Sequence, residues 1–162
     1  MLRPRFRLQC VDEAAWTSAI IEGSGANLLL DLHNLYANAF NFGERPETLL
    51  MRFPLHRVRA VHLSGGKWIA EPAGDGNGDG DRNGKKKSPP RVRLLDDHVH
   101  DVPPEVFELL TLLAEHAPQP LDVIIERDGE YPKFECLLSE LETARTAIAG
   151  GRLRTLGRRE AA

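Results

Sequence analysis

The residues with the most chemical potential fall in four short clusters. They are Asp31, His33 and Asn34 in LLLDLHNLY, His62 in RVRAVHL, the run from Asp96 to Asp101 in DDHVHD, and Glu126, Arg127 and Asp128 in VIIERD. Carboxylate oxygen with neutral imidazole is the ligand set of non-haem iron, manganese or zinc, and several carboxylates together can bridge more than one cation. The two cysteines, Cys10 and Cys136, lie far apart with no CxxC spacing, so neither a thiolate zinc site nor a disulfide framework is indicated. Three of the clusters share a setting: LLL ends in Asp31, RAV runs into His62, and VII ends in Glu126. In α/β sheets and barrels function gathers at the carboxyl ends of strands, where the sheet fixes side chains and the loops are free to vary.

Each residue also has a plainer role. An Asp after an apolar strand is commonly a helix N-cap or turn former. A lone His62 inside a strand is more often a core or edge histidine than a ligand, and Glu126 can pair on the surface with Arg127 or a lysine. His98 and His100, taken singly, fit a solvated loop. The joint pattern, one metal-ligating type at the same end of every strand, favours a metal site over these separate readings. DGNGDG, from Asp75 to Gly80, opens like a calcium loop, but its twelfth position is Lys86 where a bidentate Glu is needed. Lys85 to Lys87 beside a glycine-rich stretch is solvated charge. No Ser-His-Asp arrangement, Walker loop or GxGxxG supports nucleophile or nucleotide chemistry.

The elements that must position these clusters alternate between helical and strand patterns. Val11 to Ile21 is a predicted amphipathic helix, with Asp12 at its start and Gly23 and Gly25 as a stop. Asn27 to Leu30, with its run of three leucines, is a short continuous apolar strand of the kind buried in a parallel sheet. A polar loop follows, then a short helix from Pro46 to Phe53 and a second strand from Arg57 to Leu63. Residues 71–90 are a low-complexity, flexible insertion rich in Gly, Asp and Lys. Arg91 to Leu95 is a brief extended piece, Pro103 to His116 a helix, Leu121 to Ile125 a third strand, and Pro132 to Ala149 a long helix. From Gly150 the pattern gives way to a basic tail of doubtful order. The fold class expected from this order is α/β, with right-handed βαβ units and a parallel sheet. Residues 1–150 form one domain and 151–162 the tail.

Composition bounds the partners. The chain has 162 residues, 41% of them hydrophobic and 28% charged, with a net charge of −3 and a pI near 6.1. That suits one core and gives no pull toward nucleic acid or anionic lipid. Neither a signal peptide nor a membrane span is apparent, so a reducing cytoplasm is the expected compartment.

LLLDLHNLYANAFNFG, RVRAVHLSGG, LLDDHVHDVPPEVFELL and VIIERDGEYPKFECLLSELETAR occur in this order between about Ala26 and Arg145. Together they closely resemble the C-terminal half of domain-of-unknown-function family 692, whose best-known members are the MbnB-type multinuclear iron oxidases. Similar motif order occurs across the xylose-isomerase-like barrels, endonuclease IV included. The resemblance implies a partial (β/α)₈ TIM barrel whose metal ligands are Asp31, Asn34, His62, Asp96, His98 and Glu126. Asn34 stands where the wider superfamily often has His; His33 is a substitute, but it points the other way if the backbone is extended. Also implied are two or more iron ions and O₂-dependent oxidation of a cysteine in a ribosomally made peptide, which a partner protein delivers. Arg127 and Asp128 would orient ligands or peptide. An alternative on the same barrel is a zinc or manganese isomerase or phosphodiesterase.

A complete barrel of this type takes about 250 residues, and only three strand and helix units are evident here. The expectation is therefore a C-terminal half. A shortened gene or mispredicted start is favoured over a split protein completed by another chain, or a homodimer that closes the sheet. A non-enzymatic remnant or binding subunit is the competing reading.

Overall fold

The computed structural model of the protein describes residues 12–71 and 91–160. Cys10, Val11 and the expected insertion, Glu71 excepted, lie outside these.

Asp12 caps helix α1 (Glu13–Ser24), its carboxylate accepting from the Ala15 backbone N–H at 3.0 Å. Strand β1 (Leu28–Asp31) passes without a break into helix α2 (Leu32–Phe42). Asp31 is at once the last residue of the strand and the cap of the helix, accepting from Asn34 N–H at 2.7 Å. The polar loop expected here is therefore a helix, closed by Gly43 in the left-handed region at φ 73°. Its polar side chains mislead because several are spent inside the protein. Asn41, for one, exchanges two 2.9 Å hydrogen bonds with the backbone of Leu94.

Helix α3 (Pro46–Leu50) begins on proline and leads through a 3₁₀ turn at Leu55–Arg57 into strand β2 (Val58–Leu63). Strands β3 (Gly66–Glu71) and β4 (Arg91–Asp96) pair antiparallel, from Gly66 opposite Asp96 to Glu71 opposite Arg91. The expected extended piece at Arg91 is thus one arm of a two-stranded sheet. Helix α4 (Pro104–His116), strand β5 (Asp122–Ile125) and helix α5 (Phe134–Glu160) complete the order.

The basic tail expected from Gly150 is corrected: as far as Glu160 it is the last third of α5. Gly151 lets α5 close on α4, since a Cβ there would collide with the Thr111 carbonyl oxygen and lie 2.8 Å from Ala114 Cβ. Thr155 Oγ1 then donates to the Glu115 carbonyl at 2.6 Å, and Arg158 pairs with the buried Glu115 carboxylate at 2.7 Å. Arg154 also reaches the Glu115 carboxylate, at 3.7 Å, so α4 takes up both arginines and the segment holds its helix.

The main sheet has the order β1-β2-β5, all parallel, with Asp31 beside His62 and His62 beside Ile124. Side chains alternate across it. Leu30, Val61 and Leu63 turn into a core with Leu32, Leu50, Val106, Leu110 and Leu113, each fully or nearly buried. A Leu removed from water in this way contributes roughly 1.5 to 3 kcal/mol. The opposite face carries Leu29, Asp31, His62, Ile124 and, one step beyond the strand, Glu126. Leu29 and Ile124 remain 47% and 45% exposed there. The α/β class with a parallel sheet is therefore as expected, in three strands with helices packed on one face.

Candidate metal centre

The three strand ends bring their polar residues to one rim. Asp31 closes β1, His62 is the fifth residue of β2, and Glu126 follows β5, held in register by its N–H donating to the Leu63 carbonyl at 2.9 Å. His62 Nδ1 lies 2.8 Å from Glu126 Oε2. The antiparallel pair delivers the rest: β4 ends in Asp96, opposite Gly66 just past the end of β2. His98 then turns back in the left-handed region, φ 57°, which few non-glycine residues adopt. Two backbone bonds hold that turn, His98 N–H to the Gly65 carbonyl at 3.1 Å and Asp128 N–H to the His98 carbonyl at 2.8 Å. The imidazole thereby lies between two carboxylate clusters, Nε2 3.1 Å from Asp96 Oδ1 and Nδ1 3.5 Å from Glu126 Oε1 and 3.4 Å from Asp128 Oδ2.

Among the described residues, three overlapping sets offer ligand atoms that all lie within 4.8 Å of one another: Asp31, His62 and Glu126; Asp31, Asp96 and His98; and His98, Glu126 and Asp128. Five of the six predicted ligands thus converge, linked by Asp31, His98 and Glu126, which each belong to two sets. The sixth, Asn34, turns its amide nitrogen to Asp96 Oδ2 at 3.3 Å while its carbonyl oxygen accepts from Asn38 at 3.0 Å. In this arrangement Asn34 steadies Asp96. Asp128, expected to orient other groups, instead stands at His98 with the ligand types. Arg127 turns away, donating to the Val99 carbonyl at 2.8 Å and to Asp101 at 2.9 Å, and so braces the loop after His98. Asp97 and His100 of the same loop pair with each other at 2.9 Å.

The electrostatics describe a site short of positive charge. Burial pushes the Asp31 carboxyl above its usual value; the Asn34 N–H works against this and the Asp96 carboxylate adds to it. Burial would raise Asp96 too, but the hydrogen bond and charge of His33, then the charge of His98, hold it below the ordinary range. Partial burial disfavours the His98 cation, yet Asp96, Glu126 and Asp31 raise its pKa on balance. The carboxylates gathered at the rim thus favour the protonated form of His98.

Two buried residues stand behind Asp96, and the sequence pointed to neither in that role. His33, a substitute ligand that would point the other way on an extended backbone, lies instead on the first turn of α2, fully buried, with Nδ1 2.7 Å from Asp96 Oδ1. Ser64, also fully buried, has Oγ 3.2 Å from the same oxygen. The available signal was the SGG run directly after β2, too crowded a place for ordinary side chains.

The family model described as RiPP precursor modification enzyme MbnB/TglH/ChrH matches residues 4–149. The chain belongs to this family. Curated relatives are called UPF0276 proteins: one from Caulobacter vibrioides is 30% identical over 142 residues, covering 87% of this chain and 44% of that protein. Another, from Bordetella bronchiseptica, is 29% identical over 147 residues, 91% of this chain and 45% of the relative. The chain therefore spans just under half the length of these relatives. No helix among the described residues is long and apolar enough to cross a membrane.

Proposed function

We propose that this chain carries the metal centre of an enzyme that modifies a ribosomally made peptide. The observation that carries the reading is the convergence of Asp31, His62, Asp96, His98 and Glu126 at one end of the sheet. The donor set fits a divalent or trivalent transition metal: all oxygen and imidazole, with four carboxylates, counting Asp128, around two histidines, and an Asp31 carboxyl that burial and the nearby Asp96 disfavour as an anion. Two overlapping groups of ligands support more than one ion, and iron is the proposed metal, with manganese and zinc as alternatives. Asp31, His62 and Glu126 would hold one ion, and Asp31, Asp96 and His98 would hold another. Bound iron would supply Lewis-acid and redox chemistry toward a cysteine thiol of the peptide, with dioxygen as oxidant.

The protein's own part is positional. Asp31 is fixed by the cap it makes, Glu126 by its backbone bond to Leu63, and His98 by the loop that Arg127 braces. The sheet face that carries these groups, with Leu29 and Ile124 half exposed, supports a (β/α)₈ barrel interior in which further strands cover it. Parallel sheets are otherwise covered on both sides. A second reading, a binding subunit that completes its barrel with another chain, draws on the same exposed face. A peptide-delivering partner protein belongs to the first reading.

Anaerobic purification of the full chain followed by elemental analysis tests the proposal. Two or more iron ions per chain are expected, and protein that takes up no metal on reconstitution overturns it. Glu126→Gln keeps the side chain's size and removes its charge. It should abolish metal retention; unchanged retention assigns Glu126 to a surface ion pair instead.

A further inference from the structure

Asp96 is the most heavily supported carboxylate of the centre, and its support is asymmetric. Three side chains meet Oδ1: His33 Nδ1 at 2.7 Å, His98 Nε2 at 3.1 Å and Ser64 Oγ at 3.2 Å. Oδ2 receives the Asn34 amide at 3.3 Å. His33 and Ser64 are both wholly buried, behind the rim. His33 Nε2 has no partner among the described residues, so its ring is committed to Asp96 alone.

Space for that ring comes from the chain after β2. A Cβ on Gly66 would collide with His33 Cε1 and the Leu95 carbonyl oxygen, and would sit 3.0 Å from His33 Nε2. A Cβ on Gly65 would collide with the carbonyl oxygens of His100 and Asp101. All three residues of SGG contribute, since Ser64 bonds Asp96, Gly65 admits the loop after His98, and Gly66 admits His33. A carboxylate can only accept, so with Asp96 ionised the proton in the 2.7 Å bond to His33 sits on Nδ1.

We propose that His33 is a positioning residue of the centre: its Nδ1–H, with the Ser64 hydroxyl, pins Asp96 Oδ1 from behind and so fixes the orientation in which the Asp96 carboxylate faces a cation at the rim. The proposal rests on the metal-binding reading and concerns how one ligand is aimed. Partners behind a ligand typically set affinity by 10- to 100-fold without touching the metal.

Two variants of the full chain separate aiming from packing. His33→Phe keeps a ring in the cavity and has no donor. His33→Asn is smaller, but its amide N–H, like Nδ1, is borne by the atom next to Cγ and can reach Asp96. With Mn²⁺ as probe, His33→Phe should bind about 10- to 100-fold more weakly than wild type and change the visible spectrum of the Co²⁺-loaded protein. His33→Asn should recover both. A ring that matters only for packing predicts the reverse order, and Phe at wild-type affinity with an unchanged Co²⁺ spectrum overturns the proposal. Wild-type protein that binds neither ion overturns the metal centre itself, a different failure. Should the Phe variant not fold, ¹⁵N-histidine NMR of metal-free wild type decides: the Nδ1–H tautomer supports the clamp and the Nε2–H tautomer overturns it.

Discussion

Two aspartates do the same local work in this protein and are pushed in opposite directions. Asp12 and Asp31 each cap a helix by accepting from the N–H three residues on. Asp12 lies on the surface. The Ala15 N–H, then Arg52 at 2.7 Å, hold its carboxyl below the usual value. Asp31 lies at the rim of a parallel sheet, where burial outweighs the same kind of backbone bond and Asp96 adds repulsion. The cap is a property of the local chain, whereas the charge state is a property of what the fold brings near. Asp31 therefore keeps its structural role with one oxygen while its charge is left without an adequate partner.

The sharpest way to break this comparison is to remove each charge and keep each cap. Asn caps a helix about as well as Asp. Asp31→Asn should leave α2 intact and weaken Mn²⁺ binding by more than about 100-fold, beyond the range reached by losing a supporting contact. Asp12→Asn should leave binding unchanged. Isothermal titration of the two variants checks this, and equal affinities would reduce Asp31 to a second Asp12.

A smaller effect appears without metal. Because the folded protein disfavours the Asp31 anion, Asp31→Asn should raise the Tm of chelator-treated protein. Asp12→Asn gives up an ion pair with Arg52 and should lower Tm. Scanning calorimetry of the two variants side by side reads the signs, and a shared sign removes the distinction.

Much of this contrast was legible in the sequence, for identifiable reasons. Apolar runs mark β1, β2 and β5, and with them the rim residues Asp31, His62 and Glu126, because a strand buried on its core face announces itself over a few residues. Helix α2 did not announce itself. His33, Asn34 and Asn41 look like loop residues in order along the chain, but they bond Asp96 and Leu94 of a strand more than 50 positions away. The arginines after Gly150 looked like a solvated tail, because the Glu115 carboxylate that meets Arg158 is on another helix. Ser64, and the role of His33, were invisible for the same reason: their partner Asp96 arrives from a different sheet. What was lost in each case was a long-range polar contact, to which periodicity is blind.

Acid titration offers the finest test of the two aspartates. For Asp31 the folded pKa is raised, so its favourable contribution to stability is complete below the unfolded value and is lost as pH rises through the folded one. For Asp12 the folded pKa is depressed, so its contribution is present above the unfolded value and is lost as pH falls through the folded one. Each difference between wild type and its Asn variant should vanish in acid, because the carboxyl is then protonated and resembles the amide. The order of vanishing separates them. In metal-free protein the Tm advantage of Asp31→Asn should begin to shrink at a pH above the ordinary aspartate value, while the deficit of Asp12→Asn should persist to a pH below it. Tm profiles across the acid range give both onsets, and coincident onsets would mean that the rim exerts no more pull on its carboxylate than open solvent does.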